Sequence, residues 1–557
     1  MFFNLLFYLF FLFTFFMVFM LYFTVVNDNI FILDYCFLFL DCYMDFNLLF
    51  YFDYLSNIFL LIVSLISMTT FFYSKFYMDL DKNKNKFLFL TLIFVLSMNM
   101  VVLSYNFVLI LVGWDCLGII SYFLVIHYNS DNSDYSGITT VMTNRIGDIG
   151  MIFCIYLAIC LGDYNFYILS SLELSFGLFF FFICVSGFTK SAQFPFSVWL
   201  PLAMAAPTPI SALVHSSTLV TAGVYLFIRF DYLFKLSNNL IMFFLILVGF
   251  TMLVASSGAF FELDVKKIIA YSTLSQISLM MMVVIMGNEI FSFFHILTHA
   301  LFKALLFLCS GILIHGCFDN QDIRCYNFNL KLNLVVVSMF TICSMSLMGF
   351  PFLSGFYSKD LILEMVYILN YNVFFVVLLI FNTLITGAYS FRVIFYSMLM
   401  GKKNMALLYY SDWENINKSL FILLPGVIFL GSLVYWMLML KFDLLFMSIY
   451  LKLVNLILVF FCYLLFLLIK NNNYLLSYLN YFLSMFFMKS YQGFLLGKVF
   501  NNFLMMACYS EYYMEYMLFS KFNLFLKNFS MMVLMFKIFM FYYGFLFLFL
   551  LMNFDIS

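Results

Sequence analysis

Charge is scarce in this chain: Asp, Glu, Lys and Arg make up 10% of its 557 residues, whereas 66% are hydrophobic. With a mean hydropathy of +1.08, this composition excludes a soluble globular protein and indicates a polytopic membrane protein. The 26 basic and 27 acidic residues nearly cancel. The charge balance therefore favours neither nucleic acid nor an acidic membrane surface as a partner.

The cysteines and the N-terminus exclude further classes. The 12 cysteines are scattered, and none forms the CxxC or Cys/His spacing that zinc, haem or iron–sulfur centres need. We therefore expect no metal site and no disulfide framework. The first basic residue is Lys75, which argues against a secretory signal or a mitochondrial presequence. Residues 1–25 are accordingly expected to be a retained transmembrane helix.

Apolar runs of roughly 20 residues, the length that crosses a bilayer, predict about fifteen spans, including separate ones at 332–350 and 357–370. The segment 29–50 alternates aromatic residues with aspartates and predicts a surface hairpin instead. Residues 489–529 are apolar but carry repeated Lys and Glu, which predicts an amphipathic lateral helix along the membrane. A terminal anchor helix is expected over 530–557. The predicted fold class is an all-α polytopic membrane protein.

Proline is also scarce. The six prolines are Pro195, Pro201, Pro207, Pro209, Pro351 and Pro425. The first four crowd one region, the fifth lies in GFPFLSGFYSKD, and the sixth opens a late span. Proline removes a helix hydrogen bond, so irregular backbone at membrane depth needs protein or water to satisfy the freed groups. Because Lys190 and Lys359 lie near the first two breaks, we predict two repeats, each with a broken helix and a buried lysine.

Ionisable side chains recur inside the apolar runs. His295, His299 and Lys303 are four residues apart, which places them on one face of a helix. At bilayer depth such groups are costly and normally face a protein interior or a water-filled path. In two other spans, Asp115 and Lys190 are predicted to form a buried acid–base pair, because an unpaired buried charge is more costly still.

Three more groups extend this series. Arg145 and Asp148 form an i, i+3 pair beside the glycines of NRIGDIG, where close helix packing and an electrostatic role are both open. His215 follows the prolines among hydroxyl residues, and Lys266 begins the span KKIIAYSTLSQISLM. The expected proton path comprises, in chain order, Asp115, Lys190, His215, Lys266, His295, His299, Lys303 and Lys359.

Seven motifs in this order carry a family resemblance. They are GWDCLGIISYFLV, NRIGDIG, KSAQFPFSVWLPLAMAAPTPISALVHSSTLVTAG, DVKKIIAYSTLSQISLM, HILTHALFKALLFLCSG, QDIR and GFPFLSGFYSKDLILE. Over about residues 50–400 the chain resembles the antiporter-like subunit 5 family of respiratory complex I, the proton-translocating NADH:ubiquinone reductase. The resemblance implies a distal proton-pumping subunit of the membrane arm in the mitochondrial inner membrane. It also implies an antiporter-like fold with two inverted five-helix repeats.

The same resemblance implies partners, cofactors and residue roles. The expected partners are other membrane-arm subunits, especially the subunit 4-type antiporter-like neighbour. This chain is expected to bind no cofactor, with FMN, iron–sulfur clusters and ubiquinone held elsewhere in the complex. Asp115 matches the acid of the family's Glu–Lys pair, one methylene shorter than the usual glutamate. The other matches are Lys190 as its base, Lys303 as the central lysine beside His295 and His299, Lys359 at the exit side, and Arg145, Asp148, His215, Lys266 and Asp360 as further polar positions.

The expected organisation has six segments. They are N-terminal helices and hairpin (1–105), a first repeat (106–235), a second repeat (236–400), C-terminal helices (401–488), the lateral helix (489–529) and the anchor helix (530–557). One span precedes the hairpin, where the family commonly has two. A subunit of an Mrp-type multisubunit cation/proton antiporter shares the same core and is the alternative. The terminal arm favours complex I, and the complete charged series disfavours a subunit that has lost transport.

Overall fold

The computed structural model describes residues 2–26, 30–37, 46–79, 81–160, 176–234, 238–325, 334–368, 373–399, 413–438 and 449–471. The predicted lateral helix (489–529) and the anchor helix (530–557) lie outside the described residues. The division of the chain into two repeats at 106–235 and 236–400 stays a prediction.

Within those ranges the chain forms one hairpin and fifteen helices of at least 15 residues. The elements are α1 (Phe2–Val26), β1 (Phe31–Phe37), β2 (Phe46–Phe52), α2 (Tyr54–Tyr77), α3 (Lys84–Leu103), α4 (Phe107–Val125), α5 (Asp131–Cys160), α6 (Phe176–Lys190), α7 (Thr208–Arg229), α8 (Asn238–Phe261), α9 (Val265–Ile285), α10 (Glu289–Gly316), α11 (Leu334–Met348), α12 (Ser354–Ile368), α13 (Val373–Ile394), α14 (Trp413–Leu438) and α15 (Ile449–Asn471).

The predicted surface hairpin is confirmed. Strands β1 and β2 pair antiparallel, with Phe31 opposite Phe52 and Phe37 opposite Phe46. The strand β2 runs directly into α2, whose N-cap is Asp53. The Asp53 carboxylate accepts a hydrogen bond from the Ser56 backbone N–H, and the Ser56 hydroxyl accepts one from the Asp53 N–H. This reciprocal capping box satisfies backbone donors at the start of the helix.

Ten helices in the described part are long and apolar enough to cross a membrane, which confirms the polytopic all-α class. They are α2, α3, α4, α5, α7, α8, α9, α10, α13 and α14. The expected number, about fifteen, was larger because it also counted α1, α6, α11, α12 and α15, which are not among these ten helices, and a segment outside the described residues.

The two predicted spans at 332–350 and 357–370 are wrong as separate crossings. Helices α11 and α12 have 15 residues each, about 22 Å at 1.5 Å per residue, which is short of a hydrocarbon core of about 30 Å. They are separated by a turn that contains Pro351 and Gly349, whose φ is +85°. The short helix α6 likewise ends at Lys190, before the proline-rich segment. Pro425, expected to open a span, lies inside α14.

The core of the bundle is built from α7, α9 and α10, whose membrane-length apolar segments are buried inside the protein. Helix α10 packs against α2, α7, α9, α11, α12 and α14. Between Phe291 and Ile314, side chains on every face of α10 are therefore enclosed by protein, so His295, His299 and Lys303 do not reach lipid or bulk water. His315, in the last turn, is partly exposed. The central helices α7, α9 and α10 thus carry most of the ionisable residues of the expected proton path.

Two glycines of NRIGDIG bring α5 and α6 together, as the sequence predicts. A Cβ atom at Gly147 would lie 2.0 Å from Thr189 Oγ1, and one at Gly150 would lie 3.0 Å from the Phe182 carbonyl oxygen. Because neither position has room for a methyl group, the two helix backbones approach closely here. This contact sets the position of Lys190 at the end of α6.

Candidate functional site

The predicted path residues are almost all enclosed. Lys190, His215, Lys266, His295, His299, Lys303 and Lys359 are buried, whereas the Asp115 side chain is 34% exposed. We call these eight residues the polar axis. They come from α4, α6, α7, α9, α10 and α12, so six helices contribute to one interior series of ionisable groups.

Lys190 is the last residue of α6 and is fully buried. Its ammonium Nζ donates a hydrogen bond to the Trp114 carbonyl oxygen (3.2 Å) and lies 5.3 Å from the centroid of the Trp114 ring. Both contacts favour a cation, as does the C-terminal end of a helix dipole. The absence of a side chain at Gly118, where a Cβ would lie 3.3 Å from Nζ, makes room for the ammonium.

The predicted acid–base pair of Asp115 and Lys190 is not a direct contact. In the described part of the chain, no carboxylate oxygen lies within 4.0 Å of Lys190 Nζ. Instead, Arg145 Nη1 lies 3.8 Å from Asp115 Oδ1 and 3.4 Å from Asp148 Oδ2. The physical reason is the length of the side chain. Aspartate is one methylene shorter than glutamate, and the Arg145 guanidinium lies nearer to the Asp115 carboxylate than Lys190 does. Lys190 still interacts electrostatically with Asp148 and Asp115 at longer range.

His215 lies in a π-helical stretch of α7, Ser211–Thr218, a distortion that occurs frequently at functional sites. Its ring centroid is 6.2 Å from that of Trp199. Neither ring nitrogen has a hydrogen-bond partner among the described residues. Buried polar atoms of this kind are where ordered water commonly bridges protein groups. Next along the axis, Lys266 donates to the Ala206 carbonyl oxygen (3.4 Å), just before the Pro207 break.

The centre of the axis lies where α9, α10 and α12 meet. Lys303 donates to the Ser272 hydroxyl of α9. His295 Nδ1 lies 2.9 Å from Ser358 Oγ of α12, and Nε2 lies 3.2 Å from Gln276 Oε1 of α9. The ring centroids of His295 and His299 are 6.3 Å apart. One face of α10 therefore presents a continuous series of proton-carrying groups to two neighbouring helices.

Ser272 and Ser358 have roles that sequence reasoning missed. Ser358 Oγ also lies 3.0 Å from Thr298 Oγ1. Hydroxyl groups both donate and accept hydrogen bonds, so they can pass a proton between partners. The signal that could have found them is a polar residue on the helix face opposite a buried base.

Lys359 lies at the second break. Its Nζ donates to the Leu347 carbonyl oxygen in the last turn of α11 (2.6 Å) and to Thr386 Oγ1 (3.5 Å). Beside it is a cavity of about 30 Å³, lined in part by Asp360, Thr383 and Asn455, with room for about two water molecules. Asp360 accepts a hydrogen bond from Asn455 of α15, and both side chains line the cavity.

A metal site was not expected from the sequence. Among residues that the structure describes, no three His, Cys, Asp or Glu side chains lie together as metal ligands would. The expectation that this chain binds no cofactor stays a prediction.

A membrane bundle with two interrupted helices and an interior series of lysines and histidines defines an antiporter-like subunit of the proton-translocating type. The family described as NADH:quinone oxidoreductase/Mrp antiporter, TM, matches residues 104–386. The family described as NADH-Ubiquinone oxidoreductase (complex I), chain 5 N-terminus, matches residues 42–88.

Similar proteins identify the particular family to which the chain belongs. The NADH-ubiquinone oxidoreductase chain 5 of Aedes aegypti is 42% identical over 409 residues, 72% of this chain and 70% of the relative. That of Locusta migratoria is 43% identical over 397 residues, 69% of this chain and 68% of the relative. The chain therefore belongs to the NADH-ubiquinone oxidoreductase chain 5 family, the antiporter-like subunits of a proton-translocating enzyme complex. The family predicted from the seven motifs is confirmed.

Solved structures agree on the fold. A chain of the Mrp complex from Dietzia sp. is similar with a TM-score of 0.72 and 20% identity, over 86% of this chain and 55% of that one. The membrane-bound sulfane sulfur reductase, an archaeal respiratory membrane complex, gives a TM-score of 0.69 and 20% identity, over 79% of this chain and 91% of the other. At this identity the similarity shows the antiporter-like fold alone.

Proposed function

We propose that the polar axis is the path along which this subunit moves protons, driven by electron transfer from NADH to ubiquinone in other subunits of the complex. The observation that carries the proposal is the chain of buried bases from Lys190 to Lys359. The partners of Lys190, Lys266, His295, Lys303 and Lys359 are hydroxyls, an amide and backbone carbonyls. Such groups can hold a proton transiently and release it, because they do not form permanent ion pairs with a carboxylate.

Each part of the axis has a distinct proposed role. Lys190, with Asp115, Arg145 and Asp148 around it, is the loading base at the first break. The groups His215 and Lys266 connect it to α10, where His295, His299 and Lys303 form the central relay. At the second break, Lys359 releases the proton toward the water-sized cavity beside Asp360.

Electrostatic coupling would drive the transfer. Lys359 and Lys303 both act on His295, and Lys359 acts on Lys303. Like charges in a buried site disfavour each other, so a proton arriving on one base promotes release from the next. A change of charge delivered at one end of the axis can therefore be passed on as a change of proton occupancy.

The setting of the subunit follows from the family. We infer a multi-pass location in the mitochondrial inner membrane and a place beside the subunit 4-type antiporter-like neighbour. FMN, the iron–sulfur clusters and ubiquinone are assigned to other subunits, and this chain is assigned none of them.

The test is Lys303→Ala in the intact complex, reconstituted into vesicles. Protons pumped per electron and NADH:ubiquinone turnover are measured together. Loss of pumping, with assembly retained, is expected because the mutation removes a proton carrier from the centre of the axis. The matched control is Lys267→Ala, since Lys267 lies on α9 with a 39% exposed side chain and pairs with Asp264. Wild-type pumping and turnover in Lys303→Ala would overturn the proposal.

An Mrp-type cation/proton antiporter subunit remains the alternative, because the fold is shared. Purification of the complex that contains this chain separates the two. Co-purification with flavin and iron–sulfur subunits supports the complex I assignment, and co-purification with antiporter subunits that lack redox centres overturns it.

A further inference from the structure

Two of the five histidines lie outside the polar axis, and they share one end of the bundle. His127 follows α4, and His315 is in the last turn of α10. Each is close to an aspartate in a neighbouring turn, Asp81 and Asp319 respectively. We call these four residues the surface histidine cluster. None of them is needed for the proposed path along the axis.

His315 has a two-sided environment. Its Nδ1 lies 3.1 Å from Asp319 Oδ1, and the Asp319 side chain is 76% exposed. Its Nε2 is buried and has no hydrogen-bond partner among the described residues. An imidazole can accept a proton at one nitrogen and release another from the opposite nitrogen. His315 therefore has the geometry of a relay between the protein surface and its interior.

His127 extends the cluster along the surface. Its Nε2 lies 4.0 Å from Asp81 Oδ2, and the histidine side chain is 8% exposed. Asp81 also acts electrostatically on His315. Tyr128, next to His127, interacts in the same way with Asp81 and Asp319. The two histidine–aspartate pairs thus share one local field and do not behave as isolated surface pairs.

The inner side of the cluster leads toward the axis. The rings of Tyr77 and His315 are 4.3 Å apart, and a Cβ on Gly311, one turn before His315, would lie 2.4 Å from Thr208 Oγ1 and 2.6 Å from Tyr73 Oη. Hydroxyl groups from α2 and α7 therefore converge beneath the imidazole. Lys266, a member of the axis, interacts electrostatically with both Asp319 and His315.

We propose that the surface histidine cluster collects protons from the adjoining aqueous phase and delivers them to the polar axis at Lys266. This inference rests on the proposed function of the axis. A proton from water binds His315 Nδ1, where Asp319 stabilises the cation, and the proton on Nε2 leaves toward the hydroxyl groups of Thr208 and Tyr73. Asp81 and His127 raise the number of protons available near His315. The charged and titratable groups that face His315 are Tyr77, Asp81, Lys266 and Asp319.

The test is His315→Phe in the reconstituted complex. Phenylalanine keeps the ring contact with Tyr77 but removes both nitrogens. Coupled turnover is measured while the pH on the side of the cluster is varied one unit above and below about 6.5, the ordinary pKa of histidine. We expect a several-fold loss of coupled turnover that grows as protons become scarce at higher pH.

The second variant is Asp319→Asn, with Asp79→Asn as its matched control. Asp79 is 73% exposed and pairs with Lys84 near Asp81, so its loss changes the same surface charge without touching a histidine. Asp319→Asn should show the same pH-dependent loss, and Asp79→Asn should not. A loss that is equal at all pH values, or no loss, in both cluster variants overturns the inference.

The outcome is separable from that of the proposed function. If Lys303→Ala stops pumping while both cluster variants behave as wild type, the axis stands and the cluster has no part in proton uptake. If all three variants pump normally, both ideas fail.

Discussion

Two buried lysines of the polar axis, one at the first break and one in the central relay, have opposite surroundings. Lys190 shares its site with Asp115, Arg145 and Asp148, whereas Lys303 contacts a serine hydroxyl and acts together with Lys359. In the described ranges no carboxylate lies within 4.0 Å of Lys303 or Lys359. The first site can hold a cation at rest because carboxylates compensate it. The Lys303 site offers only dipoles. The charged form of Lys303 is therefore costly there, and its protonation responds strongly to neighbouring charges.

The largest effect is expected from making the second site resemble the first. Ser272→Asp would place a carboxylate beside Lys303. An ion pair at 4 Å is worth about 4 kcal/mol at an effective dielectric constant of 20, about three orders of magnitude in proton occupancy. The proton would stay on Lys303, and pumping by the reconstituted complex should be almost abolished. Ser272→Ala is the control: it removes the hydroxyl that accepts from Lys303 without adding a charge, so it should lower pumping less than Ser272→Asp does. Equal pumping in the two variants would contradict the comparison.

The reverse change weakens the first site. Asp148→Asn removes a buried carboxylate whose side chain is 6% exposed, and Asp115→Asn removes one that is 34% exposed. Because charge interactions strengthen with burial, Asp148→Asn should lower pumping several-fold and Asp115→Asn less. Proton-to-electron ratios of the two variants decide this. If Asp115→Asn lowers pumping more than Asp148→Asn does, the longer-range interaction of Asp115 with Lys190 matters more than the burial of the carboxylate.

A smaller effect should follow from moving the helix that carries Lys190. In Gly147→Ala the new methyl group collides with Thr189, and overpacking of this kind costs about 1–3 kcal/mol. We expect a lower thermal stability of the assembled complex and a partial loss of pumping. The matched control is Gly177→Ala on α6, where no atom lies within 4 Å of the new Cβ. Equal melting temperatures for the two variants would show that α5 and α6 can separate freely.

The smallest effect on pumping is expected away from both lysines. Asp53 forms a bidentate ion pair with Arg229, at 2.6 and 2.9 Å. Burial raises the pKa of Asp53, but the charge and hydrogen bonds of Arg229 outweigh it and hold the pKa below its ordinary value. Such a group stabilises the fold above its unfolded pKa, and the contribution is lost as pH falls through the folded pKa.

Asp53→Asn should therefore lower the melting temperature of the complex by a constant amount at every pH above about 5, with pumping per electron unchanged. Melting curves over that range provide the measurement. A stability difference that varied across neutral pH would mean that Asp53 titrates there, contrary to its pairing with Arg229.

Sequence reasoning was most successful where one helix face or one turn decides the outcome. The spacing of His295, His299 and Lys303 places them on a common face regardless of what packs against it, and all three side chains are buried. The prolines and glycines located both helix breaks for the same local reason. The hairpin followed from alternation within one segment. The separate spans at 332–350 and 357–370 failed because hydropathy does not report where a helix stops within an apolar run.

Partners between distant segments could not be derived in this way. Asp115 and Lys190 are 75 positions apart, and whether they touch depends on the rotation of two helices and on one methylene of reach. Arg145 lies nearer to the Asp115 carboxylate than Lys190 does, and Lys190 donates its hydrogen bond to the Trp114 carbonyl oxygen instead. Likewise, nothing in the spacing of His127 and His315 indicates that they share a surface.

The sequence by itself determined the membrane class, the family, the interrupted helices and the identity of the buried ionisable groups, because composition, periodicity and motifs are properties of single segments. Only the tertiary structure decided which groups exchange hydrogen bonds, which lysine has carboxylates around it, and which histidines meet at the surface. The physical reason is range: hydrogen bonds and ion pairs act over a few ångströms, and helix packing alone sets those distances between residues far apart in the chain.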